Sequence, residues 1–172
     1  LLRLVGLVLI VAAGSGVGWL KARRYQQAPG ELRQLLGGLQ MLASEIGYTA
    51  TPLPEALSRV AGRLSGPAAL LFGRAAWELE KATGETAAQT WQRAWQHYSD
   101  ASNLGQAELA VVLAVGSMLG ATGRADQLRH LELAQEQLKL FLAGAEEDAR
   151  KYSLMWGYLG VCASLALALV IY

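Results

Sequence analysis

Residues 128–152 read LRHLELAQEQLKLFLAGAEEDARKY, and this stretch decides the fold. Leu128, Leu131, Gln135, Leu138, Leu142, Ala145, Ala149 and Tyr152 alternate spacings of three and four, a heptad seam whose one polar member is Gln135. Nothing after Tyr152 breaks a helix, so the spacing predicts one helix running on through Met155–Tyr172. It would be about 49 residues long, on the order of 70 Å. Gly144 and Gly157 are the positions where such a rod would bend. Two helices meeting near Gly157 are the alternative.

Working back from that helix, apolar positions keep helical spacing and no convincing period-2 strand is found. Leu32, Leu35, Leu36, Leu39, Leu42 and Ile46 form one face of a first helix, opening after Pro29-Gly30 and closing at Gly47. A second starts at Thr51-Pro52-Leu53-Pro54-Glu55, with Thr51 as cap, Pro52 in the first turn and Glu55 facing the positive helix end. Its core face is Leu53, Ala56, Leu57, Val60 and Leu64. Gly66-Pro67 leads into a third helix over Ala68–Lys81, with Leu70, Leu71, Ala75 and Leu79 as its stripe and Trp77 beside it. Thr86–Tyr98 reads as a fourth, rich in aromatics (Trp91, Trp95, Tyr98), followed by a turn at Asp100–Gly105. Gln106–Leu119 is a fifth, with Leu109, Val112, Leu113, Val115 and Leu119 inward, and Gly120–Gly123 breaks it from the sixth. The fold class is therefore all-α, a six-helix bundle.

The ends differ from the middle. Leu1–Leu20 and Met155–Tyr172 hold one charge, Arg3, although 17% of the whole chain is charged. Leu4–Leu20 is long enough at about 1.5 Å per residue to cross a thin hydrocarbon core, and Trp19, Trp156 and Tyr158 sit where interfacial aromatics gather. The expected domains are a transmembrane helix at 1–20, a basic juxtamembrane linker at 21–28, a cytoplasmic bundle at 29–154 and a transmembrane helix at 155–172. Lys21, Arg23 and Arg24 follow the first span, and Arg150 and Lys151 precede the second, which places the bundle in the cytoplasm by the positive-inside rule. A cleaved leader is the alternative for the first segment. A buried core helix is the alternative for the second. Gly14 and Gly18, and Gly160 and Ser164, repeat small residues every four positions and are candidates for helix packing in the membrane.

Charge also bounds the partners. Residues 25–149 hold nine positives against fourteen negatives, a balance of −5. Without a basic stripe to neutralise phosphates, no nucleic-acid partner is expected. The lone cysteine, Cys162, leaves no disulfide framework and no CxxC. His97, Ser99 and Asp100 are neighbours in sequence, which does not make a catalytic triad. His130, Glu132 and Glu136 have no second histidine nearby, so no metal site is expected. Neither a catalytic residue nor a cofactor is read from the sequence. Glu146-Glu147-Asp148 reads as a solvated face with pairs Glu146–Arg150 and Glu147–Lys151. Arg59 and Arg63 lie four apart on the second helix and form a small basic patch, the one candidate for partner docking.

The ordered motifs have a family resemblance. They are Leu20-Lys-Ala-Arg-Arg-Tyr25, Leu32-Arg-Gln-Leu-Leu36, Leu39-Gln-Met-Leu42 with Glu45-Ile46, and Thr51-Pro-Leu-Pro-Glu-Ala-Leu57. Leu119-Gly120 with Asp126-Gln127 and Glu136-Gln-Leu-Lys139 follow, before the basic-then-apolar closing helix. In this order they resemble the stage III sporulation protein AB family of endospore-forming bacteria, which is similar to the cytoplasmic F domain of type II secretion platforms. Secretion platforms carry two such domains and more spans, a departure in size. The resemblance implies a non-enzymatic membrane platform in the complex joining mother cell and forespore. It would sit in the mother-cell membrane surrounding the forespore and dock the secretion-type ATPase of the same sporulation operon, among other proteins of that complex. The alternative is a membrane adaptor or signalling protein that dimerises, as a homo-oligomer, through its long heptad helix.

Overall fold

The segment after Lys81 shows how this chain writes its helix boundaries. Thr86 accepts a hydrogen bond from the Gln89 backbone N–H, and the Gln89 side chain accepts from the Thr86 N–H. This reciprocal capping box satisfies two otherwise orphaned donors and starts a helix at Ala87. The computed structural model describes residues 26–49, 51–81, 84–120 and 123–171, with side chains through Tyr152. Among these residues there are six α-helices and no strand. They are α1 (26–44), α2 (Leu53–Ala61), α3 (Gly66–Lys81), α4 (Ala87–Ala101), α5 (Gln106–Met118) and α6 (Arg124–Ile171).

Helix α1 is already formed at 26–28, so the last part of the expected linker is helical and Pro29-Gly30 does not open the helix. Pro29 is buried, and the apolar stripe continues through it into Leu32. At the other end α1 does not stop at Gly47. It widens into a π-helical turn over Glu45–Thr49. Glu45 holds that turn, accepting from the hydroxyls of Thr49 at 3.2 Å and Thr51 at 2.8 Å. Thr51 therefore does not cap α2. Its hydroxyl is spent on Glu45, and the cap position is Pro52, with no side-chain bond.

Helices α2 to α6 follow one another as antiparallel neighbours and wrap around α1. Phe72 of α3 and Leu64 crowd Gly38 of α1 so closely that a Cβ there would lie within 3 Å of both. The Ser65 N–H donates to Gln34, and residues of α4 and its following loop reach Glu31. On the far side α6 runs antiparallel to α1. Gln135 Nε2 donates to the Leu39 carbonyl, Arg33 pairs with Glu146 at 2.6 Å, and the Arg124 guanidinium donates to the Gly47 carbonyl. No contact between α2 and α6 closes the ring, so one face of α1 is left in a slot between them.

The core is Leu32, Leu35, Leu39 and Leu42 of α1 against Leu57, Val60, Leu71, Phe72, Trp91, Tyr98, Val112, Leu131 and Leu138. Trp91 is its centre. Its ring meets Phe72 edge-on at 5.6 Å, and its indole N–H donates to the Val112 carbonyl at 3.0 Å. Gly116 makes room for it, since a Cβ there would fall 2.7 Å from Trp91 Cβ and closer still to the ring. In α3 the expected stripe is displaced. Leu70 is 64% exposed, and Phe72 and Ala76 are buried instead. A fully apolar run such as Ala68–Phe72 does not say which of its faces the neighbours will cover.

Helix α6 is unbroken over 48 residues. Neither Gly144 nor Gly157 interrupts it. The heptad seam lies inside the bundle. Leu131, Ala134 and Leu138 are buried, with Phe141, Leu142 and Ala145 packed against the core, and Leu128 lies over Gly47 of α1. Among the described residues no helix is long and apolar enough to cross a membrane. The first expected span, 1–20, lies outside the described residues, with Gly14 and Gly18, and so do Lys21, Arg23 and Arg24; of the second, 155–172, the helical backbone is described through Ile171, Gly160 and Ser164 included, but not its side chains.

Candidate functional site

Arg59 and Arg63 project from α2 toward α1, where they line a groove of about 450 Å³ with Gly37, Gln40, Met41, Ser44, Glu45 and Val60. The groove is one margin of the slot in which α1 is uncovered. Arg59 is engaged: it reaches Glu55 at 2.7 Å and Glu45 at 3.4 Å. Thr51 above all holds the Glu45 carboxyl below its usual range; burial opposes it, and Thr49 and the two arginines add smaller lowering effects. Arg63 is an exposed cation with no ion pair among the described residues. An incoming carboxylate would find Arg63 open, with Gln40 and Ser44 as neutral hydrogen-bonding groups beside it. Gln40 and Ser44 were missed in the sequence. They stand four apart on the face of α1 opposite its leucines, which is the signal that could have found them.

The other margin of the slot lies between α1 and α6. Gln26, Pro29, Arg33, Ala143, Glu146 and Arg150 line a second hollow of about 650 Å³. Glu146 does not pair with Arg150 as expected; it crosses to Arg33 because the antiparallel helices bring their side chains together. The expected Glu147–Lys151 pair forms at 2.8 Å. Its hydrogen bond raises the lysine and lowers the carboxylate from their ordinary values.

The histidines do not assemble chemistry. His97 Nε2 accepts from Arg74 at 3.4 Å, while Ser99 donates to the Gln96 carbonyl, so neither serves the other. His130 lines a small apolar hollow with Val115, Met118 and Leu119. Among the described residues no cluster of three metal-ligating side chains is found.

One polar cluster is buried, and the sequence did not reveal it. Glu31 accepts from Tyr98 Oη at 2.6 Å, from Ser102 Oγ at 2.5 Å and from the Asn103 N–H at 3.0 Å. These bonds tie α1 to the end of α4, and burial with the Glu31 bond pushes the Tyr98 phenol well up. The carboxylate is fully used within the fold, which makes it a structural lock rather than a binding group.

Comparison with known proteins gives a consistent result. The family model for stage III sporulation protein AB matches residues 3–172. The stage III sporulation protein AB of Bacillus subtilis (strain 168) is 33% identical over 171 residues, covering 99% of each chain. A solved structure of a stage III sporulation protein AB superposes with a TM-score of 0.67 at 32% identity, covering 72% of this chain and 96% of that one.

Proposed function

The chain belongs to the stage III sporulation protein AB family, and on that premise we propose that it is a non-enzymatic membrane platform of the sporulation complex. In this reading the bundle stands in the mother-cell cytoplasm, and two spans, 1–20 and 155–172, hold it in the membrane facing the forespore. A secretion-type ATPase docks on the bundle, with Arg59 and Arg63 in the docking face.

The observation that best supports this is α6. It carries one unbroken helix from packed core residues such as Leu131 and Leu138 into the uncharged stretch 155–171. A membrane span joined to the bundle without a loop would fix the orientation of the docking face. The rival adaptor reading needs the heptad seam free to pair with a second copy, and that seam lies against α1.

Two measurements test the proposal. Alkaline carbonate washing should leave the full chain in the membrane pellet; release into the supernatant refutes the anchor. The full chain in detergent should co-purify with the co-expressed ATPase. The double substitution Arg59→Glu, Arg63→Glu should weaken that at least tenfold without changing the circular dichroism. If wild-type protein and ATPase do not associate when expressed together, the platform mechanism fails.

A further inference from the structure

Helices α1 and α6 lie against each other as an antiparallel pair from Gly47 down to Pro29. Leu128 lies over Gly47, Gln135 donates to the Leu39 carbonyl, and Arg33 meets Glu146 at 2.6 Å. At the last turn Gln26 and Pro29 still share one hollow with Ala149 and Arg150. Beyond it each helix leads into an uncharged stretch: 4–20 precedes α1, and α6 itself runs on unbroken through 155–171. The two stretches therefore leave the bundle side by side, from the same end.

In an antiparallel pair, equal counts from a contact stay level, because both helices rise about 1.5 Å per residue. The Leu39–Gln135 and Arg33–Glu146 contacts bracket the level of every earlier position. Arg24 falls level with 150–155, where Arg150 and Lys151 stand. Trp19 falls level with 155–160, where Trp156 and Tyr158 stand. A register taken from the bundle alone thus sets the basic rims and the interfacial aromatics of the two stretches at matching depths. The same count puts Gly18 against 156–161 and Gly14 against 160–165, intervals that hold Gly160 and Ser164.

The faces agree with the levels. Pro29 and Gly47, both on the α6 side of α1, are eighteen positions apart, which is five whole turns. Carried on toward the N-terminus at about 100° per residue, that side passes Gly18, about 20° off, and Gly14, about 60° off. On α6, Ser164 stands eighteen positions beyond Glu146 and repeats its direction, and Gly160 is about 20° from the direction of Gln135. Cys162 falls about 180° from Gln135, on the opposite side of the helix.

We propose that the two uncharged stretches form an antiparallel helical hairpin in the membrane, with the N-terminal stretch seated on the α1 side of α6 through Gly14 and Gly18 against Gly160 and Ser164. Small residues there let the two backbones approach closely, and close packing is a main source of helix association in lipid. The hairpin would clamp α6 to α1 at the margin where the ring of helices is open. A second copy of the chain is the competing occupant, and the matched register favours the chain's own segment. The inference rests on the two-span anchor of the platform reading, and its test separates the two.

The full chain is tested in native membranes. One variant carries Ser15→Cys and Ser164→Cys with Cys162→Ser; the other carries Ser15→Cys against the native Cys162. Ser15 falls level with 159–164 and about 40° from the side of Pro29, so both partner positions match in height and only one in face. Oxidation with copper(II) phenanthroline should close an intrachain disulfide in the first variant at least tenfold faster than in the second. Closure is read as two thiols lost to maleimide labelling without a dimer band. Gly18→Val in the first variant should slow closure at least tenfold, whereas Val17→Leu, about 120° from the side of Pro29, should not. Equal rates in the two variants, dimer bands in place of the intrachain product, no closure in either, or no effect of Gly18→Val overturns the hairpin. Alkaline carbonate washing of the same membranes reads the anchor separately. Protein that stays in the pellet without closing refutes the hairpin alone, and release into the supernatant refutes anchor and hairpin together.

Discussion

Replacing Glu31 by glutamine tests the polar lock between α1 and α4. The side chain keeps its shape, but one acceptor oxygen becomes an NH2 donor. Tyr98 and Ser102 both donate to one oxygen, and the Asn103 N–H donates to the other. The amide oxygen can serve the first pair, which places the NH2 against the Asn103 N–H. That N–H is then unsatisfied, at a cost of about 1.5 kcal/mol. The two remaining bonds lose their charge assistance, roughly 1 kcal/mol each. The neutral amide is easier to bury than a carboxylate, which offsets about 1–2 kcal/mol. Glu31→Gln should therefore destabilise the bundle by about 2 kcal/mol, and Glu31→Ala by more, since it strands all three donors. The assay is urea unfolding of the full chain in detergent, followed by circular dichroism at pH 7. Tyr98→Phe completes a double-mutant cycle, with an expected coupling of about 1 kcal/mol or more. A Glu31→Gln loss below about 0.5 kcal/mol, or additive effects of the two substitutions, would refute the lock.

Other consequences can be measured on the same preparation. Gly116→Ala drives a methyl group into the root of the Trp91 side chain, not its flexible end, and should cost about 1–3 kcal/mol or more in thermal or urea unfolding. Leu138→Ala, at a fully buried core site, should cost about 2–5 kcal/mol, and the chain should sediment with unchanged mass because the seam is internal. Acid should destabilise the fold. Thr51 holds the Glu45 carboxyl below its ordinary 4.5, and although burial alone would raise Glu78, its bonds from Arg93 and Arg74 outweigh that and lower it. Depressed folded values mean stability that is present above about 4.5 and lost as pH falls below it, so Tm should drop there and Glu78→Gln should flatten the drop. Alkali acts in the opposite sense: burial, and then Glu31, raise the Tyr98 phenol above its ordinary 10.0, so that contribution holds below pH 10 and is lost as pH rises further. Tyr98→Phe should remove most of that alkaline slope.

Helix number and most boundaries were legible because they are local. Gly-Pro at 66–67, the glycines at 120 and 123 and the three-four spacing of the leucines carry their meaning within a few residues. What was not legible depends on neighbours distant in sequence. Thr51 looked like a cap, and only the π turn of α1 brings Glu45 to claim its hydroxyl. Glu146 looked paired with Arg150 until α1 supplied Arg33 from 113 positions away. Glu31 has no local signal of burial; that burial depends on Tyr98 and Ser102, which another helix and its following turn deliver. Arg59 and Arg63 were found as a pair, but the sequence could not show that Glu45 and Glu55 occupy the first and leave the second open.

The unclosed ring has a consequence for how the molecule is made. Helix α1 is synthesised well before α6, yet the stretch from Arg33 to Gly47 is partnered by residues 124–146. Until α6 arrives, that side of α1 has no cover, and its pairing is among the most non-local in the chain. Completion of the bundle therefore waits on synthesis of α6. A product truncated within α6 would present an unfinished flank of α1 to proteases.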